Sequence, residues 1–193
     1  MSRLVVQGKD LLTNENKDGM TPLALSLALC KTNSLPMALA SDDIDIFLAK
    51  SNLQCHPEKK FTHDEIYLAL KIGRCPELIS CIISNTSKEY DTTRETPLIC
   101  YIRQLEITGR LNINTLKVLI NWRDEDLFHR SHSGHGHRGL LPLQMIVQTS
   151  LFDANIDAIR FLVSLHPDIV NKPDEYGRTP VLTACKYKNC PDV

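Results

Sequence analysis

The stretch Asn171–Cys185, reading Asn-Lys-Pro-Asp-Glu-Tyr-Gly-Arg-Thr-Pro-Val-Leu-Thr-Ala-Cys, limits what this chain can fold into more than any other. It is a polar turn closed by Gly177, followed by a helix opened by Thr179 and started by Pro180. A threonine N-cap accepts an orphan amide bond, and proline at the first helical position gives up a donor that has no partner there. Upstream, Asn155–Leu165 has the spacing of an amphipathic helix and runs into His166-Pro-Asp-Ile-Val-Asn171. Helix, loop, turn and helix make one supersecondary unit, so a period is expected. The same turn followed by Pro-Leu stands at Asn16–Leu23, Arg94–Leu98 and Gly139–Leu143. Pro142 to Pro180 spans 38 residues, Pro97 to Pro142 spans 45, and Pro22 to Pro97 spans 75, or about two units of 37 or 38.

Thr21-Pro22-Leu23, Thr96-Pro97-Leu98, Thr179-Pro180-Val181 and the Asp174-Glu-Tyr-Gly177 turn resemble the ankyrin repeat, with its roughly 33-residue period and T-P-L-H-x-A core. Pro167-Asp-Ile-Val-Asn171 is similar to the Gly-Ala-Asp-Val-Asn ending of that family. The resemblance implies an all-α, ankyrin-type helical-repeat solenoid with short β-turn fingers. One domain over 1–193 is expected, with units at about 14–53, 58–86, 91–123, 138–170 and 171–193. The second unit departs from the pattern, since Phe61–Gly73 lacks Thr-Pro-Leu and no glycine turn precedes it. The fifth stops at Val193, where its outer helix should begin, which points to a longer natural protein.

Bulk properties narrow the function. A net charge of -1 with dispersed Lys and Arg gives no electrostatic footprint for nucleic acid or an anionic membrane. The N-terminus turns polar too early for a signal peptide, and no apolar run spans a bilayer. The seven cysteines are odd in number. Cys30, Cys81, Cys100 and Cys185 fall on apolar helical faces, as buried reduced thiols of a cytoplasmic protein do.

Chemistry-bearing patterns are few. His129, His132, His135 and His137 lie within nine residues, and imidazole suits zinc, copper or nickel. A glycine-serine loop does little to fix four rings in a tetrahedron, so a solvated loop is expected and no metal is assigned. Cys55-His56 cannot form a nucleophile-base pair, because successive side chains diverge. No phosphate loop, nucleophile elbow or His-Glu-x-x-His is present. Asp42, Asp43 and Asp45 lack the glycine and terminal glutamate of a calcium loop and read as helix N-terminal charges. Trp122 is expected to pack beneath the inserted loop. No catalytic residue and no cofactor are assigned.

The resemblance implies a non-catalytic module that binds another protein through finger tips and exposed inner-helix residues lining a concave face. Carried onto this chain, those tips include Lys17, Glu95, Arg138, Leu140, Glu175, Tyr176 and Arg178. The inner-helix positions include Arg103, Gln104, Gln148, Thr149, Lys186 and Tyr187. Tyrosine and arginine make good anchors, so weight falls on Tyr176, Arg178 and Tyr187, with Lys186, Arg138 and Arg103 behind them. A monomer is expected. Leu98, Leu143 and Leu182 should be buried between successive inner helices. Irregular, insertion-bearing units of this kind are similar in style to those of translocated effectors, which would act in a host cytosol. Two other readings stand beside this one: a targeting arm for a catalytic domain beyond residue 193, and metal binding through the histidine loop.

Overall fold

The computed structural model describes residues 16, 17, 20–25, 49, 60–73, 75–89, 94–132, 138–149 and 153–187. Cys30, Asp42, Asp43, Asp45, Cys55, His56, His135 and His137 lie outside them. Among the described residues the chain is helix-rich and without strands, save for one isolated parallel bridge between Phe61 and Thr86. Its residues divide into two compact units, Met1–Tyr90 and Asp91–Val193.

In the first unit, α1 (His63–Lys71) packs against α2 (Pro76–Ser84). Thr62 opens α1 with a full capping box, its hydroxyl facing the Glu65 amide while the Glu65 carboxylate takes the Thr62 amide at 2.8 Å. Asp64 and Glu65 also suit the positive end of the helix dipole. Gly73, at φ 71°, ends the element in a conformation that side-chain-bearing residues rarely adopt. Pro76 starts α2 at the position where its missing donor costs nothing. Ile66, Ala69 and Leu70 on α1 and Leu78, Ile79, Ile82 and Ile83 on α2 are buried. Glu65 is buried as well, and its other oxygen accepts the Thr21 hydroxyl at 3.1 Å, which ties the turn before helical residues 22–25 to α1.

The second unit holds α3 (Pro97–Arg103), α4 (Leu105–Thr108), α5 (Ile113–Trp122), a 3-10 turn (Asp124–Phe128), α6 (Pro142–Gln148), α7 (Ile156–Leu165) and α8 (Pro180–Tyr187). Helices α3, α6 and α8 begin on prolines that the sequence marks as starts. Thr96 caps α3 through the Ile99 amide, and Thr179 faces the Leu182 amide at 3.4 Å. In packing, α3 lies against α6 and α6 against α8, while α5 lies against α7. The inner row is apolar nearly all round: Pro97, Leu98, Ile99, Tyr101 and Ile102 on α3 and every residue from Pro142 to Val147 on α6 are buried. A helix buried on both sides needs that composition. The outer row is amphipathic, and α7 buries Ala158 and Leu162.

Turns between the rows are fixed by buried polar side chains. Asn155, 2% exposed, accepts the Leu111 amide at 2.9 Å and donates to the Gly109 carbonyl at 3.3 Å. Tyr101 accepts the Asn112 amide at 2.7 Å, while Asn112 caps α5 through the Asn114 amide. Trp122 is buried at the end of α5.

Four expectations are corrected. Leu98 and Leu143 are each 1% exposed, but Leu182 is 57% exposed, because α8 meets α6 through Pro180 and Thr183 and turns Val181 and Leu182 outward. Leu140 is 1% exposed rather than at a tip, since its carbonyl accepts the Ser131 amide and its side chain turns inward with that of Leu141. Cys185 is exposed, and Cys81 and Cys100 are half-buried rather than fully buried. Arg103 is not a free surface cation but is bound internally.

Candidate functional site

Asp174 organises the most exposed aromatic cluster among the described residues. Its side chain is fully buried, and its Oδ1 accepts the amides of Tyr176 at 2.9 Å and Arg178 at 2.8 Å. An aspartate that caps its own turn in this way needs a short polar side chain at that position. Gly177 closes the turn at φ 76°, its amide reaching the Asp174 carbonyl at 3.1 Å. Oδ2 of the same carboxylate takes Nε and one terminal nitrogen of Arg178, both at 2.8 Å. Burial pushes the Asp174 pKa up, yet the bonds from the Arg178 amide and guanidinium and the Tyr176 amide outweigh it and hold the carboxyl below its usual range.

Held this way, the Arg178 guanidinium lies over the Tyr176 ring, 4.8 Å from its centre. Hydrogen bonding to Asp174 raises the Arg178 pKa, and a bond to the Tyr187 side chain acts in the same direction. Lys186 lies 5.1 Å from the Tyr187 ring centre. Tyr176 is 63% exposed and Tyr187 43%. The cations lie close to two rings that stay largely exposed. Val181 and Leu182 extend the exposed apolar area on α8.

The preceding turn supports this one. Gly139 donates to the Ser131 carbonyl at 2.8 Å, and Ser131 donates to Leu140 at 2.9 Å. The Arg130 guanidinium reaches the Pro173 carbonyl at 3.2 Å, and the Glu175 amide approaches the Gly139 carbonyl at 3.4 Å. Gln144, fully buried at the start of α6, accepts the Leu141 amide at 3.0 Å and donates to the Arg178 carbonyl. Arg138 is exposed on the preceding turn, and its charge acts on the Tyr176 hydroxyl. The dominant influence there is the neighbouring Glu175, which raises the tyrosine pKa by hydrogen bond and charge.

Of the sequence-derived anchors, Tyr176, Arg178, Tyr187 and Lys186 therefore come together with Arg138 beside them. Arg103 belongs to a different arrangement, where its guanidinium binds Glu95 and the Ser131 hydroxyl at 2.8 Å, and that hydroxyl donates to Glu95 at 3.0 Å. Its side chain is 26% exposed, and it ties α3 to Ser131. Asp174 and Gln144 were not singled out as organisers from sequence. Asp-x-x-Gly is the readable signal for the first, whereas nothing local marks the second.

Elsewhere, a cleft of about 350 Å³ opens where α5 and α7 begin, with Arg110, Ile113, Ala154 and Asp157 at its walls and Asn155 among its lining residues. It carries one charge of each sign and no nucleophile-base pair. Of the loop histidines, His129 and His132 are described, and burial together with the charge of Arg123 lowers the His129 pKa. No group of three or more His, Cys, Asp or Glu side chains among the described residues is placed to hold a metal ion. No described helix is long and apolar enough to cross a membrane. No family model, curated protein or solved structure matches the chain.

Proposed function

We propose that this chain is a non-catalytic, ankyrin-type protein-binding module acting in a reducing, cytosol-like compartment. Its partner docks on the surface built from Tyr176, Arg178, Lys186 and Tyr187, with Arg138 at the edge. The observation that carries this reading is the fully buried Asp174, which fixes an arginine between two exposed tyrosines. Large aromatic side chains bury much area at small entropic cost, and pre-ordering lowers that cost further. The two-row packing of α3, α6 and α8 with α5 and α7, with a glycine turn ahead of both α6 and α8, supports the repeat reading. Arg138 and Lys186 beside exposed Val181 and Leu182 favour a partner segment that offers carboxylates next to apolar side chains.

The test is selection of ligands from a displayed peptide library on the immobilised chain. Enriched peptides should combine Asp or Glu with an aromatic or aliphatic residue, and enrichment should collapse on Tyr176→Ala with Tyr187→Ala. Ligands that bind the doubly substituted chain as well as the original would contradict the assignment.

A further inference from the structure

Arg178 is recessed between its aromatic neighbours. Its side chain is 27% exposed, whereas Tyr176 and Tyr187 both stand out into solvent. Asp174 holds only one edge of the planar guanidinium, the edge made by Nε and one terminal nitrogen, each 2.8 Å from Oδ2. A face of the group lies over the Tyr176 ring, and the Tyr187 side chain bonds to it as well. A guanidinium carries more N–H donors than these contacts use, and the edge between its two terminal nitrogens matches a second carboxylate. A tyrosine hydroxyl that accepts from the arginine keeps its own proton to donate.

We infer, resting on the docking surface proposed above, that Arg178 and the Tyr187 hydroxyl together read one glutamate side chain in a partner segment that passes between Tyr176 and Tyr187. Asp174 does not compete for that edge, because its side chain is fully buried on the inner side of the guanidinium. Asp174 and Arg178 cancel as a pair, so the charges around them set the sign of the site. Exposed Arg138 and Lys186 outnumber exposed Glu175 there, which favours an anion. A two-point bond from a planar guanidinium is more selective than a bond from an ammonium, so Arg178 rather than Lys186 sets the specificity. Its recess favours glutamate over aspartate, whose carboxylate stands one methylene closer to its own backbone. Cations on both sides, Arg138 on the preceding turn and Lys186 on α8, suit a segment that continues in both directions rather than one that ends in a free carboxylate.

The blocked dipeptides N-acetyl-Glu-Phe-amide and N-acetyl-Gln-Phe-amide test this on the full 193-residue chain. The readout is nitrogen-15 NMR of the Arg178 side chain at constant pH and ionic strength. The glutamate peptide should shift the Arg178 resonances saturably and bind at least about tenfold more tightly than the glutamine peptide, the scale of a charge-assisted bond. The matching aspartate peptide should fall between them. Arg178→Lys should abolish the preference for glutamate, whereas Lys186→Ala should keep it. If Arg178→Lys does not fold, the shifts in the unsubstituted chain decide. Arg178 resonances that the glutamate peptide leaves unmoved, equal binding of the glutamate and glutamine peptides, or tighter binding of N-acetyl-Gln-Phe with a free C-terminus would each overturn the inference. Library peptides that still lose binding on Tyr176→Ala with Tyr187→Ala would, beside such a result, leave the tyrosine surface standing and remove only the glutamate reading.

Discussion

The Glu175 side chain occupies the space into which a Cβ on Gly139 would project, with its Cδ 2.1 Å from that position. Gly139 also has φ +75°, so two separate costs attach to any side chain there. Gly177, at φ +76°, has nothing within 4 Å and carries only the backbone cost. Gly177→Ala should therefore lose roughly 1–2 kcal/mol from the left-handed conformation alone, and Gly139→Ala should lose more. Equilibrium unfolding in urea separates the two. Because Glu175 is flexible, Glu175→Ala should return part of the Gly139→Ala loss, a coupling that a double-mutant cycle reads directly. Equal losses at both glycines would contradict the close approach of the two turns.

Helix starts were legible in the sequence because they are local. Thr96 before Pro97 and Thr179 before Pro180 satisfy nearby amides, and the structure uses both. What faces inward was less legible, because it depends on neighbours far along the chain. Val181 has the same place after its proline as Leu143, yet it and the neighbouring Leu182 turn away from α6, and Leu140 turns in where a tip was expected. Arg103 looked like a surface anchor, yet its partners Glu95 and Ser131 lie 8 and 28 residues away. The cluster at Tyr176 and Arg178 was readable because one turn holds both residues and their shared aspartate. Tyr187 joins them only through the fold.

The same contrast makes a stability prediction. Leu143 is 1% exposed within the inner row, so Leu143→Ala should cost about 2–5 kcal/mol. Leu182→Ala, at an outward position, should change stability by no more than about 0.5 kcal/mol. Chemical denaturation of both variants checks the register of α8. Similar losses would mean that Leu182 packs inward.

Asp174 makes the stability of the fold depend on pH. Its pKa is depressed in the folded chain, so its contribution is fully present above the unfolded value of 3.8 and fades as pH falls through the depressed one. Asp174→Asn should cost roughly 1–3 kcal/mol near neutrality, since a charge-assisted bond and its partner are both disturbed. That gap should narrow with acidification below about pH 4. Unfolding measured from neutral to acidic pH provides the check, and a gap that stays constant would contradict the depressed value.

Protein binding at the tyrosine cluster is the central claim, and calorimetry with a library-selected ligand tests it most directly. Tyr176→Ala with Tyr187→Ala should weaken binding by at least about 2 kcal/mol, roughly thirtyfold in Kd, with the unfolding midpoint unchanged because both rings are exposed. Lys117→Glu with Arg160→Glu, on exposed positions of α5 and α7, should leave the affinity as it was. Loss of binding in that control, with full affinity kept by the double tyrosine variant, would contradict the account.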